Sequence, residues 1–139
     1  MKAIADALFH VLRRDSLIQS LIGVDSDGEV KVYEGTAKTD VKAPFIVSSF
    51  IPGNAPVGVY GDEVAMEVVD VQVTAWGSSR NTVWQLAEAC DDALHLGDWP
   101  VDPYELKDLR RLSFPQLTPD RDNTNWVQIP LRYRLSFGR

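Results

Sequence analysis

This chain is poor in the residues that most small-site chemistry needs. Among 139 residues there is one cysteine, Cys90, and there are two histidines, His10 and His95. A single cysteine excludes an intramolecular disulfide and any zinc site built from several thiolates. The histidines are far apart, sit in no HExxH context, and lack the spacing of a metal-ligand pair. No glycine-rich loop ends in Lys-Ser/Thr to cradle a phosphate. Gly77-Ser-Ser79 lacks the flanking pattern of a nucleophile elbow. No apolar run is long enough to cross a bilayer. Lys2, Asp6 and His10 break up the first fourteen residues, so no signal peptide is visible and folding in a cytoplasm is expected. There is no internal repeat and no low-complexity segment.

What is present is an ordinary globular composition, 45% hydrophobic and 24% charged. The length suits one domain with a real core, spanning residues 1–139. The net charge of −6 argues against a nucleic-acid-binding surface over the whole domain. The charge is uneven, however. From Leu106 onward seven bases face three acids, a balance of +4, which leaves −10 on the rest of the chain. Such asymmetry suits acidic-to-basic contact between copies, and equally two solvated strands.

The chain is organised around Glu63 to Leu96. Val71, Val73 and Ala75 alternate with Asp70, Gln72, Thr74 and Trp76, the pattern of a half-buried antiparallel strand. Val64, Met66 and Val68 alternate in the opposite phase. The slip at Val68-Val69 predicts a β-bulge there, or a first half that leaves the sheet as a projecting hairpin arm. Gly77 ends the strand, and Ser78 or Ser79 is an N-cap. Val83, Leu86, Ala87, Cys90, Ala93 and Leu94 then form one apolar helical stripe, stopped by Gly97. The helix is expected to pack back on the sheet.

Upstream, Ala3–Leu12 reads as a helix with Arg13 and Arg14 at its C-terminal end. Asp15 caps a second helical segment, Ser16–Ile22, which Gly23 stops. Val30–Glu34 and Pro44–Ile51 are strands, the latter apolar on both faces and so central. Pro52 to Gly61 is a Pro/Gly-rich loop or the tip of a hairpin. Downstream, Lys107–Leu117 is a strand with Leu112 and Phe114 inward, and Thr118–Thr124 is a polar loop. Trp126–Phe137 is the clearest strand, pairing with the previous one. Pro130 on its polar face predicts an edge or a bulge. The fold class is α+β: a mainly antiparallel sheet, N-terminal helices and one long helix on one face, and a C-terminal β-hairpin.

Chemistry is hard to find. Asp25-Ser-Asp-Gly-Glu29 is a turn in which the ligand positions of a calcium loop do not follow. Asp91 and Asp92, adjacent on a helix, diverge into solvent. Cys90 on the apolar stripe is a small buried hydrophobe. Trp76, Trp84, Trp99 and Trp126 serve the core or complete an interface. No catalytic residue, cofactor or metal is expected.

Several phrases resemble the tail completion, or tail terminator, family of long-tailed bacteriophages, prophages and gene transfer agents. They are Leu21-Ile-Gly23 after a helix pair, Val32 to Gly35, the Ala-Pro-Phe-Ile-Val strand from Ala43 to Val47, and Val71-Gln-Val-Thr-Ala-Trp76. The helix carrying Ala87, Glu88, Ala89 and Leu94 follows, and then Arg132-Tyr-Arg-Leu-Ser-Phe137. The resemblance covers nearly the whole chain; the long loop from Pro52 to Asp62 and the connection from Leu96 to Leu106 depart from the family pattern. It implies a structural virion protein without enzymatic activity, built in the host cytoplasm. Its copies would form a hexameric ring on the head-proximal end of the tail tube, touching the major tube protein and the head-tail connector. DNA would pass through the bore without sequence-specific binding, past a lining mainly of Asp and Glu. Alternatives are another neck or head-closure component, or a non-phage small-ligand-binding domain. Exposure and charge mark Pro52, Asn54, Tyr60, Asp62, Asp120, Arg121, Asp122, Trp126, Arg132 and Arg134 as interface candidates.

Overall fold

The computed structural model describes every residue except 1, 39–40, 52–56, 61–62, 98, 100–104, 113–114, 120–125 and 139. At 2–3, 57–60, 63–67 and 119 only the backbone is described. Two helices open the chain, α1 (Lys2–Arg14) and α2 (Ser16–Ile22). Between them the Asp15 carboxylate accepts a 3.0 Å hydrogen bond from the Ile18 N–H, satisfying one orphan donor of α2. Gly23 ends α2 at φ 69°, in the left-handed region that a Cβ would strain. Strands β1 (Val32–Glu34), β2 (Phe45–Ile51), β3 (Val57–Tyr60) and β4 (Glu63–Gly77) follow. Helix α3 (Arg80–Leu96) then precedes β5 (Glu105–Arg111), β6 (Thr118–Pro119) and β7 (Val127–Gly138). Ser79 caps α3, its hydroxyl accepting from the Thr82 N–H at 3.2 Å.

One sheet runs β1-β2-β4-β7-β5, with β3 added to β4 and β6 to β7. The β1–β2 pair is parallel and the other pairs are antiparallel. As expected, β2 is interior, and the α+β class holds. The three helices cover one face. Beneath them lie Val69, Val71, Val73 and Ala75 of β4 and Ile129, Leu131, Tyr133, Leu135 and Phe137 of β7, all buried. Ile18, Leu86, Cys90 and Leu94 close over them from the helical side. Gly77 lets α3 turn back at close quarters, since a Cβ there would stand 2.5 Å from Val83 Cγ2.

The phase slip in β4 has an unexpected origin. The β4–β7 register runs unbroken from Met66↔Gly138 to Gly77↔Val127, so β4 carries no bulge at Val68-Val69. The irregularity lies on the other side of β4. Ile51 pairs with Asp70 and Val57 with Met66, so the β2–β3 side takes six steps where β4 takes four. An even insertion leaves the facing of every later residue unchanged. The first part of β4 is therefore one leg of a hairpin with β3, but it does not leave the sheet as the second expectation had it, since Met66 to Val69 stay paired with β7. The apolar phase changes because a different face of the sheet becomes apolar there.

Two further details differ from expectation. Strand β5 ends at Arg111, and Leu112 is exposed rather than inward. A register shift between Leu106 and Asp108 instead turns Leu106 and Leu109 toward the core. Phe114 lies outside the described residues. Pro130 pairs with Thr74 on one side. On its other side it falls between the residues held by β6 and those held by β5, an interrupted ladder that tolerates a missing N–H.

Candidate interaction surface

The face of the sheet opposite the helices has no covering layer among the described residues, and three zones succeed one another along it. At the first end the alternation of β2 and β4 puts Phe45 opposite Trp76. Their rings stack at 5.8 Å between centroids, and Trp126 meets both edge-on at 5.4 and 6.3 Å. Tyr33 closes the cluster against Phe45 at 6.5 Å. Phe45, Trp76 and Trp126 line a groove of about 360 Å³ whose other walls include Thr36, Gln72, Thr74 and Gln128. The Trp76 Nε1–H is buried and has no acceptor among the described residues. A buried donor without a partner is costly, and here it lies beside an open groove.

The middle zone is charged. Arg134 donates from Nε and an Nη to the two oxygens of Asp70 at 2.9 and 3.1 Å, a bidentate cross-strand pair. The Asp70 carboxylate raises the Arg134 pKa. Arg132 donates to Gln72 Oε1 at 3.0 Å, a neutral partner. Register places Arg110 of β5 beside Arg134, and Arg110 approaches Asp108 at 3.5 Å. The last zone belongs to the β3–β4 arm. Val68, half-buried, pairs with Ser136 on this open face. Continued alternation assigns positions 64 and 66 of β4, and their partners 59 and 57 of β3, to the same face.

The remaining polar groups are structural in kind. Tyr133 donates its hydroxyl to Asp91 Oδ1 at 2.6 Å, tying β7 to α3, and Arg111 reaches the other oxygen at 3.7 Å. Burial, then the Asp91 carboxylate, raises the Tyr133 pKa beyond the range of ordinary phenols. Burial also pushes the Cys90 thiol far up, which keeps it neutral and unreactive. In the Asp25–Glu29 turn the Lys38 ammonium sits among Asp25, Asp27 and Glu29 at 3.1, 2.8 and 3.3 Å. The centre of this acidic turn is thus held by a cation of the chain itself. Among the described residues no group of three or more His, Cys, Asp or Glu is placed to hold a metal ion. No helix of those residues is long and apolar enough to cross a membrane.

The model of the family described as tail completion protein gp17 matches residues 6–136. The chain belongs to this family. It is accordingly a structural protein of a virion tail, and the expected resemblance holds. Two solved structures share the fold. A chain from the virion of a native gene transfer agent particle superposes with a TM-score of 0.72 at 19% identity, covering 100% of both chains. The bacteriophage SPP1 gp17 protein superposes with a TM-score of 0.60 at 15% identity, covering 96% of this chain and 88% of that one. Among curated proteins, none matches this sequence.

For a tail completion protein the working parts are surfaces, and three residues singled out by sequence share one. Trp126, Arg132 and Arg134 all belong to the open face. Tyr60 pairs with Glu63 in the arm. Pro52, Asn54, Asp62, Asp120, Arg121 and Asp122 lie outside the described residues. Sequence reasoning did not join Phe45 and Tyr33 to the tryptophans. The available signal was Trp76, an aromatic in the polar phase of an alternating strand.

Proposed function

We propose that this protein forms a hexameric ring that caps the head-proximal end of a phage-type tail tube. The ring ends tube polymerisation and presents its far side to the head-tail connector. The family match over residues 6–136 carries this reading. The physics of the surface supports it. Rings need heterologous contacts, in which one patch of each copy fits a different patch of the next. A sheet with one face left open by its own helices supplies such a patch. The role asks for no catalytic group, so the protein is no enzyme. It assembles in the bacterial cytoplasm around a tube wide enough for DNA. DNA passes the bore unretained, which requires a lining mainly of Asp and Glu, because clustered arginines would bind phosphate.

Electron microscopy of lysates from a particle producer lacking this gene tests the reading. Filled heads beside tails of excessive or irregular length are expected. Tails of normal length beside emptied heads would move the protein to the head side of the neck, and intact infectious particles would refute a completion role.

A further inference from the structure

We propose that the outer stripe of α3 of one copy seats on the open sheet face of the next copy. The inference rests on the ring reading and names two surfaces that would close it. Trp84, Glu88, Asp92 and Leu96 follow one another at i, i+4 along α3, and all are exposed. The opposite side of α3, with Val83, Leu86 and Cys90, is the one that packs on the chain's own sheet. Trp84 is 38% exposed and Leu96 85%, apolar surface that the chain leaves in water. Among the described residues Glu88 and Asp92 have no ion-pair partner. Arg111, beside the stripe, is turned to Asp91 at 3.7 Å.

The open face presents the complement in the same order. Its successive rows on β4 and β7 are Thr74↔Pro130 at the aromatic groove, Gln72↔Arg132, Asp70↔Arg134 and Val68↔Ser136. Arg132 is exposed and meets a neutral amide, and register sets Arg110 beside Arg134. The spacings agree as well. Four helical residues advance about 6 Å and two strand residues about 6.7 Å, so three steps span about 18 Å on the helix and about 20 Å on the sheet. Trp84 enters the groove of Phe45, Trp76 and Trp126, where ring meets ring. Glu88 then meets Arg132, Asp92 meets Arg134 and Arg110, and Leu96 covers Val68. Arg80, one turn before Trp84, comes over the aromatic cluster, a surface that a guanidinium also favours. The contact is heterologous, helix to sheet. Its two surfaces lie on different sides of a copy, so each copy uses both at once, as a closed ring needs. Opposite charges set register and speed encounter, so association weakens as salt rises.

Two charge-reversal variants test the contact. One carries Glu88→Lys with Asp92→Lys. The other carries Arg110→Glu with Arg132→Glu and leaves the Asp70–Arg134 pair intact. Native mass spectrometry of the wild type should show rings. Each variant alone should fold, by circular dichroism, yet associate at least about tenfold more weakly, because like charges then oppose each other. Mixed in equal amounts, the two should assemble again, since reversed helices meet reversed faces in alternation. A third variant, Glu88→Cys with Arg132→Cys, places a thiol on each surface. Within one copy these thiols are separated by the sheet, and Cys90 is buried. Oxidation should therefore link copies into a ladder that ends at six. A wild type that stays monomeric, a reversal variant that assembles normally, or a mixture that fails to recover would overturn the proposal. Rings that yield no ladder would make the contact wrong while the ring stands. A ladder without an end would keep the contact and refute the ring. The tails of the deletion strain decide the ring's role separately.

Discussion

The two faces of this sheet are written by the same strands in opposite phase. On the covered face, Val69 to Ala75 and Ile129 to Phe137 supply nine buried apolar side chains under three helices. On the open face the intervening residues are Asp70, Gln72, Thr74 and Trp76, opposite Arg134, Arg132, Pro130 and Gln128. One set is satisfied within the chain. The other makes cross-strand pairs and a ring cluster but, among the described residues, leaves a groove and a buried indole N–H unanswered. The difference separates the face that folds this protein from the face its own helices leave open.

The sharpest way to break that contrast is to remove matter from each face in turn. Leu135 is fully buried between the sheet and the helices. Leu135→Ala should cost about 2–5 kcal/mol in urea unfolding, the sum of lost transfer free energy and a cavity that collapses only in part. Trp126, half-buried at the groove, should cost about 1–2 kcal/mol on replacement by Ala, because much of its ring already meets water. Its larger effect should be on association between copies, read by native mass spectrometry. Equal stability losses at the two sites, with association untouched by Trp126→Ala, would make the open face a second core rather than a docking surface.

The covered face was legible in the sequence because its signals are local. The alternation of β7, the stripe of α3 and the caps Asp15 and Ser79 each depend on neighbours a few residues away. The open face was legible only where a local rule was broken. Trp76 in a polar phase and the slip at Val68-Val69 both announced something, but their meaning depended on distant partners. The slip proved to mark a change of apolar face, which only the β3 and β7 registers reveal. The ring cluster needs Phe45, Trp76 and Trp126, which lie on three different strands or their ends. Lys38 among the acids of the 25–29 turn was equally hidden, because nothing in the turn itself points to a lysine nine or more residues downstream. The six interface candidates in the loops at 52–62 and 120–122 fall on residues that are not described.

That lysine gives the smallest expected effect, and it lies off both faces, beside β1. Burial alone would raise the Asp25 carboxyl. Hydrogen bonds from the Glu29 N–H, the Lys38 ammonium, the Tyr33 hydroxyl and the Asp27 N–H outweigh it and hold the group down at about 2. Lys38 is raised in turn, first by Asp27 and then by Asp25. With an unfolded value of 3.8, the unfolded chain binds the proton first as pH falls. The contribution of Asp25 is therefore complete above about pH 4 and is lost progressively down to about pH 2. Lys38→Met removes the cation, so this variant should unfold at lower urea than the wild type near neutrality. The gap between the two should narrow as pH falls through that window, when the Asp25 carboxylate becomes neutral. A gap that stays constant down to about pH 2 would mean that Lys38 acts through packing of its stem and not through its charge.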